Sequence, residues 1–193
     1  NESFRQELAQ RFAVHLSSTL HPARIADIVD RLDAELSPEI ARHIERWTEE
    51  DGIESLSTRR SELQEIKDFA DEREIHVRTG IAEYLGFSNT ITLSTSVNPK
   101  DSGTITLQGV PMLPQYSNTA QIYRGIPIEM TAKANPGFRF VGWSQGFGVD
   151  ENTILNLNTN THLVAEFAPS NEDVLPLSIE TDHILTLSGS PYT

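Results

Sequence analysis

Four histidines, His15, His21, His43 and His76, are spread along the first half of the chain, and a run of oxygen-bearing side chains, Asp150, Glu151, Asn152, Asn156, Asn158 and Asn160, stands in the second. A zinc-type site needs at least three converging ligands. His43 and Glu45 are two residues apart, which turns them to different helix faces and makes no i,i+4 pair. Structural or surface roles account for these histidines. The Asp150–Asn160 oxygens are compatible with Ca²⁺, yet they lack the Asp-x-Asp-x-Asp-Gly spacing of a calcium loop. A turn with Asn-rich strand ends is the better reading. Gly142, Gly146 and Gly148 could suggest a phosphate loop, but no helix follows to offer its N-terminal dipole. They read as a flexible hairpin connection with Phe147 as a small anchor. No Gly-x-Ser-x-Gly elbow frames a nucleophile. There is no cysteine, so disulfides, thiolate metal sites and a Cys nucleophile are excluded. No catalytic, cofactor-binding or metal-binding residue is assigned, and no cofactor is expected.

Aromatic rings offer a different chemistry. Tyr116, Tyr123, Trp143 and Phe147 could line a carbohydrate- or peptide-binding surface. For Trp143 the pattern allows two outcomes. Strand alternation sets it opposite Phe138 and Phe140. A bulge at Gly142 would instead flip the register and bury it with residues such as Phe167 and Ile128, and this burial is the expected outcome.

The elements that must carry these rings begin at Ile126. Ile126, Ile128, Met130, Ala132 and Ala134 alternate with polar or exposed-type residues, the period-2 mark of a strand with one buried face. Asn135-Pro136-Gly137 is turn chemistry. Phe138 and Phe140 share a face of the next strand, and Leu163, Ala165 and Phe167 repeat the alternation in a closing one. Val110 to Gln121, with Pro111 and Pro114, reads as an inserted loop.

Residues 1–87 are helical in pattern. Phe4, Leu8, Phe12, Leu16 and Leu20 stand four apart and predict an amphipathic helix over about 2–19. Pro22 suits the first residue of a second helix, with Ile25, Ile28, Val29, Leu32 and Leu36 as its stripe. The two stripes are expected to bury against each other. Ser37-Pro38-Glu39 predicts a third start, with Ser37 as N-cap. Gly52 marks a loop. A long helix follows over about 57–86, with Gly80 as a point of kinking and Gly86 as its terminator.

Two family resemblances rest on these residues. Pro-Gly-Phe-x-Phe-x-Gly-Trp-Ser at 136–144, with the closing Val-Ala-Glu-Phe at 164–167, resembles the divergent internalin B-type (Listeria–Bacteroides) repeat over roughly 90–168. That resemblance implies a compact β-grasp-like unit on secreted or surface-anchored bacterial proteins, a spacer or adhesion module without catalysis. Arg42-His43-Ile44-Glu45-Arg46-Trp47, Leu63-x-x-Ile66-Lys67-x-Phe69-Ala70-x-x-Arg73 and Tyr84-Leu85-Gly86-Phe87 are similar to the C-terminal helices of spore-coat protein H (CotH)-like kinases. That similarity implies an atypical, often secreted kinase that phosphorylates protein Ser/Thr, and His43, Glu45 and Arg46 would pack this segment on the kinase body. No Gly-rich loop precedes a strand Lys, and no His-Arg-Asp or Asp-Phe-Gly equivalent occurs.

The whole reads as an α+β chain in two segments. A helical, bundle-like part spans 1–87 and a small mostly-β module 88–168. Residues 169–193 are a linker and the start of a further β region, with short strands near 175–179 and 183–192 that resemble the opening of a parallel β-helix. The net charge of −13 argues against a nucleic-acid partner. It is unevenly spread, with 11 Lys/Arg and 19 Asp/Glu before residue 88 and 4 and 9 after it, which supports the break near Gly86. No apolar run reaches the length of a membrane span. The expected setting is extracellular or on the bacterial surface, in a piece of a longer protein. Its expected partners are the remainder of a kinase-like domain and a surface glycan or protein ligand. Two alternatives stay open: part of an active CotH-like kinase, or a carbohydrate- or peptide-binding module.

Overall fold

The computed structural model of the protein describes residues 1–47, 55–87 and 89–170. The loop at Gly52 and the strands expected beyond residue 171 lie outside the described residues. Three helices come first: α1 (Glu2–Ser17), α2 (Pro22–Trp47) and α3 (Leu56–Leu85). Asn1 caps α1 by accepting from the Ser3 N–H, and Ser55 caps α3 by accepting from the Thr58 N–H. Gly86 ends α3 in the left-handed conformation, φ 77°.

Two expected breaks are absent. Helix α2 runs through Pro38, and Ser37 bonds the Asp33 carboxylate at 3.5 Å instead of capping a new helix. Proline removes one backbone donor. Ala34 and Pro38 are both exposed, so water can satisfy the freed Ala34 carbonyl. Gly80 is likewise passed without interruption in α3.

Residues 90–169 form eight strands: β1 (Thr90–Asn98), β2 (Gly103–Leu107), β3 (Val110–Pro111), β4 (Thr119–Tyr123), β5 (Pro127–Ala134), β6 (Phe138–Trp143), β7 (Asn152–Asn156) and β8 (Thr161–Pro169). They are shared between two four-stranded sheets, ordered β4-β1-β8-β6 and β3-β2-β5-β7. Strand β1 pairs antiparallel with β4 and parallel with β8. This two-sheet arrangement is what is found where the resemblance implied a β-grasp-like unit. The inward residues of both sheets, among them Leu93, Ile105, Leu107, Ile128, Met130, Leu163 and Phe167, make one core. Each large apolar side chain so buried contributes about 1.5–3 kcal/mol relative to exposure.

The alternation in β5 is as the sequence spells it: Ile128, Met130 and Ala132 face in, Glu129 and Lys133 face out. The segment 110–121 is a correction to the inserted loop. Val110 and Met112 are core residues, β3 pairs with β2, and β4 pairs with β1. In β6 the register slips between Phe140, opposite Phe167, and Gly142, opposite Glu166. Val141 is the extra residue of a bulge. The slip turns Trp143 inward, where it is 4% exposed. Gly142 eases the close approach there, since a Cβ would come within 3.1 Å of the Gly148 carbonyl oxygen.

Candidate functional site

The chemistry of this molecule gathers where the helices meet the β module. Strand β4 is the edge of its sheet, and an edge leaves alternate N–H and C=O groups without a strand partner. Ala120 and Ile122 spend theirs on β1, so Gln121 and Tyr123 point theirs outward. Side chains of the helices take the place of the missing strand. Gln10 of α1, fully buried, accepts from the Tyr123 N–H at 2.8 Å and donates to the Tyr123 and Ile126 carbonyls at 3.1 and 2.9 Å. The Ser17 hydroxyl accepts from the Gln121 N–H at 3.1 Å and donates to the Ala13 carbonyl at 2.9 Å. Arg78 of α3 donates to the Gln121 carbonyl at 2.8 Å and to Glu74 at 2.9 Å. All four outward backbone groups of Gln121 and Tyr123 are thus satisfied by three side chains. Around them Ala9, Ala13, Leu85, Tyr123 and Ile126 form a small apolar cluster, and Val14 reaches into the main core.

This contact overturns the expected packing of α1. The stripe Phe4, Leu8, Phe12 does not bury against α2: Phe4 is 61% exposed and Phe12 39%. The buried positions are Ala9, Gln10, Ala13, Val14, Leu16 and Ser17, so of the predicted stripe only Leu16 is buried. Small side chains let the helix backbone approach an edge strand, and the larger ones are left to the other side. The signal in the sequence was a polar Gln10 and Ser17 among alanines at helical spacing. Size-weighted reading passed over it.

The four aromatic candidates do not share a surface. Trp143 and Tyr123 are buried, Trp143 as the bulge at Gly142 predicts, so neither ring lines an exposed binding surface. Trp143 packs edge-on to Phe140 with centroids 5.4 Å apart, and its indole N–H donates to the Asp150 carbonyl at 3.0 Å. Tyr123 stacks at a tilt on Phe87 and its hydroxyl donates to the Arg78 carbonyl at 3.3 Å. Burial raises its pKa, and the Arg78 charge works against that rise. Tyr116 and Phe147 are half-buried. Tyr116 donates to the Asp27 carboxylate at 2.7 Å, and that bond is the main cause of its raised pKa. Phe147 packs on the core beside β6. Tyr116 precedes β4 and Phe147 follows β6, which are opposite edges of one sheet.

The oxygens of residues 150–160 serve separate tasks. Asn152 accepts from the Thr131 hydroxyl at 2.7 Å, Asn160 accepts from the Thr92 N–H at 2.9 Å, and the Asp150 and Glu151 carbonyls accept from Trp143 and Ala132. His15 meets the Thr19 hydroxyl at 2.7 Å, and its pKa is lowered by burial and then by Arg11. His21 accepts from the Ala23 N–H at the start of α2. His76 is exposed and His43 half-buried. Among the described residues no group of three His, Asp or Glu side chains converges to metal-holding distance. Nor is any described helix long and apolar enough to cross a membrane.

The other notable surface lies between the helices. Phe12, Leu16, Leu20, Ile25, Phe69 and Val77 line an open apolar groove of about 350 Å³. Phe69 is 58% exposed on its rim, with the Arg73 guanidinium 5.1 Å from the ring centroid.

Two family models match the chain. Residues 1–77 match the CotH kinase protein family, and residues 93–171 match the divergent InlB B-repeat domain. The two matches stand in the order CotH then B-repeat, each over less than half of the chain, and the two stretches are called the CotH segment and the B-repeat from here on. No curated protein and no solved structure matches it. The CotH match covers α1, α2 and most of α3, and the B-repeat match covers both sheets apart from the start of β1. Gln10 and Ser17 belong to the CotH segment and their partners Gln121 and Tyr123 to the B-repeat, so the junction bonds the two families' segments to each other.

Proposed function

We propose that the CotH segment is the C-terminal helical part of a larger kinase-like domain, and that the B-repeat is a non-catalytic module fixed to it, acting as a spacer or adhesion unit of a secreted or cell-surface bacterial protein. The observation that carries this is the open apolar face of α1, α2 and α3. Exposed contiguous apolar surface on this scale marks an interface. Its partner in this reading is the remainder of the kinase-like domain. The match to residues 1–77 supports a larger parent domain. The lack of any phosphate-cradling or Mg²⁺-binding motif in the sequence supports a fragment without phosphotransfer of its own.

The chain has no cysteine, so one introduced thiol reports on one position. Phe69→Cys should react rapidly with a maleimide in the 193-residue chain. In a longer polypeptide that includes the rest of the kinase-like domain it should react at least tenfold more slowly. Equal reactivity in both would end the docking reading. Radiolabelled ATP turnover by the 193-residue chain, abolished by changing one Asp or Glu, would end the non-catalytic one. Of its four candidate rings the ligand-binding alternative keeps Tyr116 and Phe147 partly accessible, and a glycan array with Phe147→Ala as control decides it.

A further inference from the structure

The β1–β4 ladder stops before β1 does. The last backbone bond across it runs from the Thr95 N–H to the Asn118 carbonyl, 2.8 Å, after which the chain before β4 turns away at Ser117. In a strand, residues two apart point their N–H and C=O to the same side. Val97 therefore presents both groups where β4 would continue, while Ser94 and Ser96 serve β8 on the other side. The second sheet has the same feature. Strand β3 ends its pairing with β2 as the Met112 N–H donates to the Ile105 carbonyl, so Gly103, two residues before, also faces outward without a strand partner. Both free edges open into one cleft of about 610 Å³. Its apolar floor includes Ile105 and Met112, and the amide side chains of Gln115 and Asn118 stand on its rim.

We propose that this cleft is a strand-docking site that takes a short extended polypeptide segment of a partner protein, continuing the line of β4. Unpaired N–H and C=O groups of a strand edge are matched in geometry and number by another main chain. The cleft has the size of a ligand site, and its lining sets Val97, Ile105 and Met112 among polar and charged residues that include Lys100 and Asp101. The ladder it would extend already exists, and the occupant needs only to add to it. The lining described includes no aromatic ring to stack a sugar. The inference does not depend on whether the helices carry a kinase body.

The test uses the ¹⁵N-labelled 193-residue chain and three probes: a capped octapeptide of alternating Thr and Val, the same peptide N-methylated at alternate residues on its pairing edge, and maltohexaose. The expected result is a saturable shift of the Val97 and Gly103 amides with the first peptide, with exchange of the Val97 amide slowed at least tenfold. The methylated peptide should give neither. Val97→Pro, which removes the donor, should abolish the response while the emission of buried Trp143 reports an intact module. If that variant does not fold, the methylated peptide alone decides. No shift at millimolar peptide, an equal response to the methylated peptide, or a response to maltohexaose in its place would each overturn the proposal.

Discussion

The helices and the B-repeat satisfy burial in opposite ways. In the B-repeat, strand alternation delivers every second residue to a closed core, and both sheets contribute. In the helices, α2 buries only Ile40 out of its 26 residues, and α3 buries only Ala70 and Leu85. The α2–α3 pair leans on ion pairs, Arg59 with Asp33 and Lys67 with Asp30. An exposed pair contributes about 0–1 kcal/mol, and here only Asp30 is well exposed while Arg59 and Lys67 are largely covered. Helix α1 is the exception, and its partner is the β module. The family a segment matches and the partner it packs on are thus different things: α1 lies in the stretch that matches CotH and packs on the stretch that matches the B-repeat.

That contrast can be broken most directly at Trp143. Trp143→Ala removes a large buried aromatic and should cost about 3–5 kcal/mol. Because α1 rests on β4, helical circular dichroism should weaken along with the β module. A helical signal that stays unchanged while the module melts would mean the two segments are independent. Next in size is Gln10→Ala. It strands the Tyr123 N–H and the Tyr123 and Ile126 carbonyls, and a buried group left without a partner costs about 1–3 kcal/mol. Faster amide exchange at Tyr123, with Leu163 unaffected, is the expected signature.

A smaller effect is expected at His15. Burial and Arg11 lower its folded pKa, so protonation works against the fold. Its contribution is present above the ordinary value near 6.5 and is lost as pH falls below it. The melting temperature should therefore drop more for the wild-type chain than for His15→Gln on acidification from about pH 7 to 5. The smallest effect sharpens the comparison from the other side. Phe69→Ser alters an exposed ring and should shift stability by no more than about 0.5 kcal/mol, while reducing binding of a hydrophobic dye. A loss above 2 kcal/mol would show that the helical face is already buried within this chain.

Much of the B-repeat was legible because period-2 alternation reports directly on burial. The buried set Ile128, Met130 and Ala132, the turn at Gly137 with φ 85°, and the closing set Leu163, Ala165 and Phe167 all follow from it. The bulge and the burial of Trp143 were legible, because Gly142 interrupts the pattern. The helices were legible as helices. Their faces were not: Phe4, Phe12 and Leu32 carry the largest apolar side chains and were assigned inward, yet they are exposed. Hydrophobic size measures what a face could bury, and says nothing of whether the burying partner is present. The junction side chains Gln10, Ser17 and Arg78 were missed because each is polar and each bonds a backbone group more than 40 residues away.

By itself the sequence determined that the first part is helical, that strands follow from about Ile126 onward, the order of the two matched segments, and the inward residues of β5 and β8, since all of these depend on neighbours within a few positions. The tertiary structure alone decided that helix α1 would turn its small face inward, that Pro38 would sit inside α2, and that the stretch from Val110 to Gln121 would supply two strands. The physical reason is common to all three. Each depends on which unsatisfied backbone groups and which surfaces lie nearby in space: the open edge of β4 for α1, solvent beside Ala34 for Pro38, and the unpaired sides of β1 and β2 for the supposed loop.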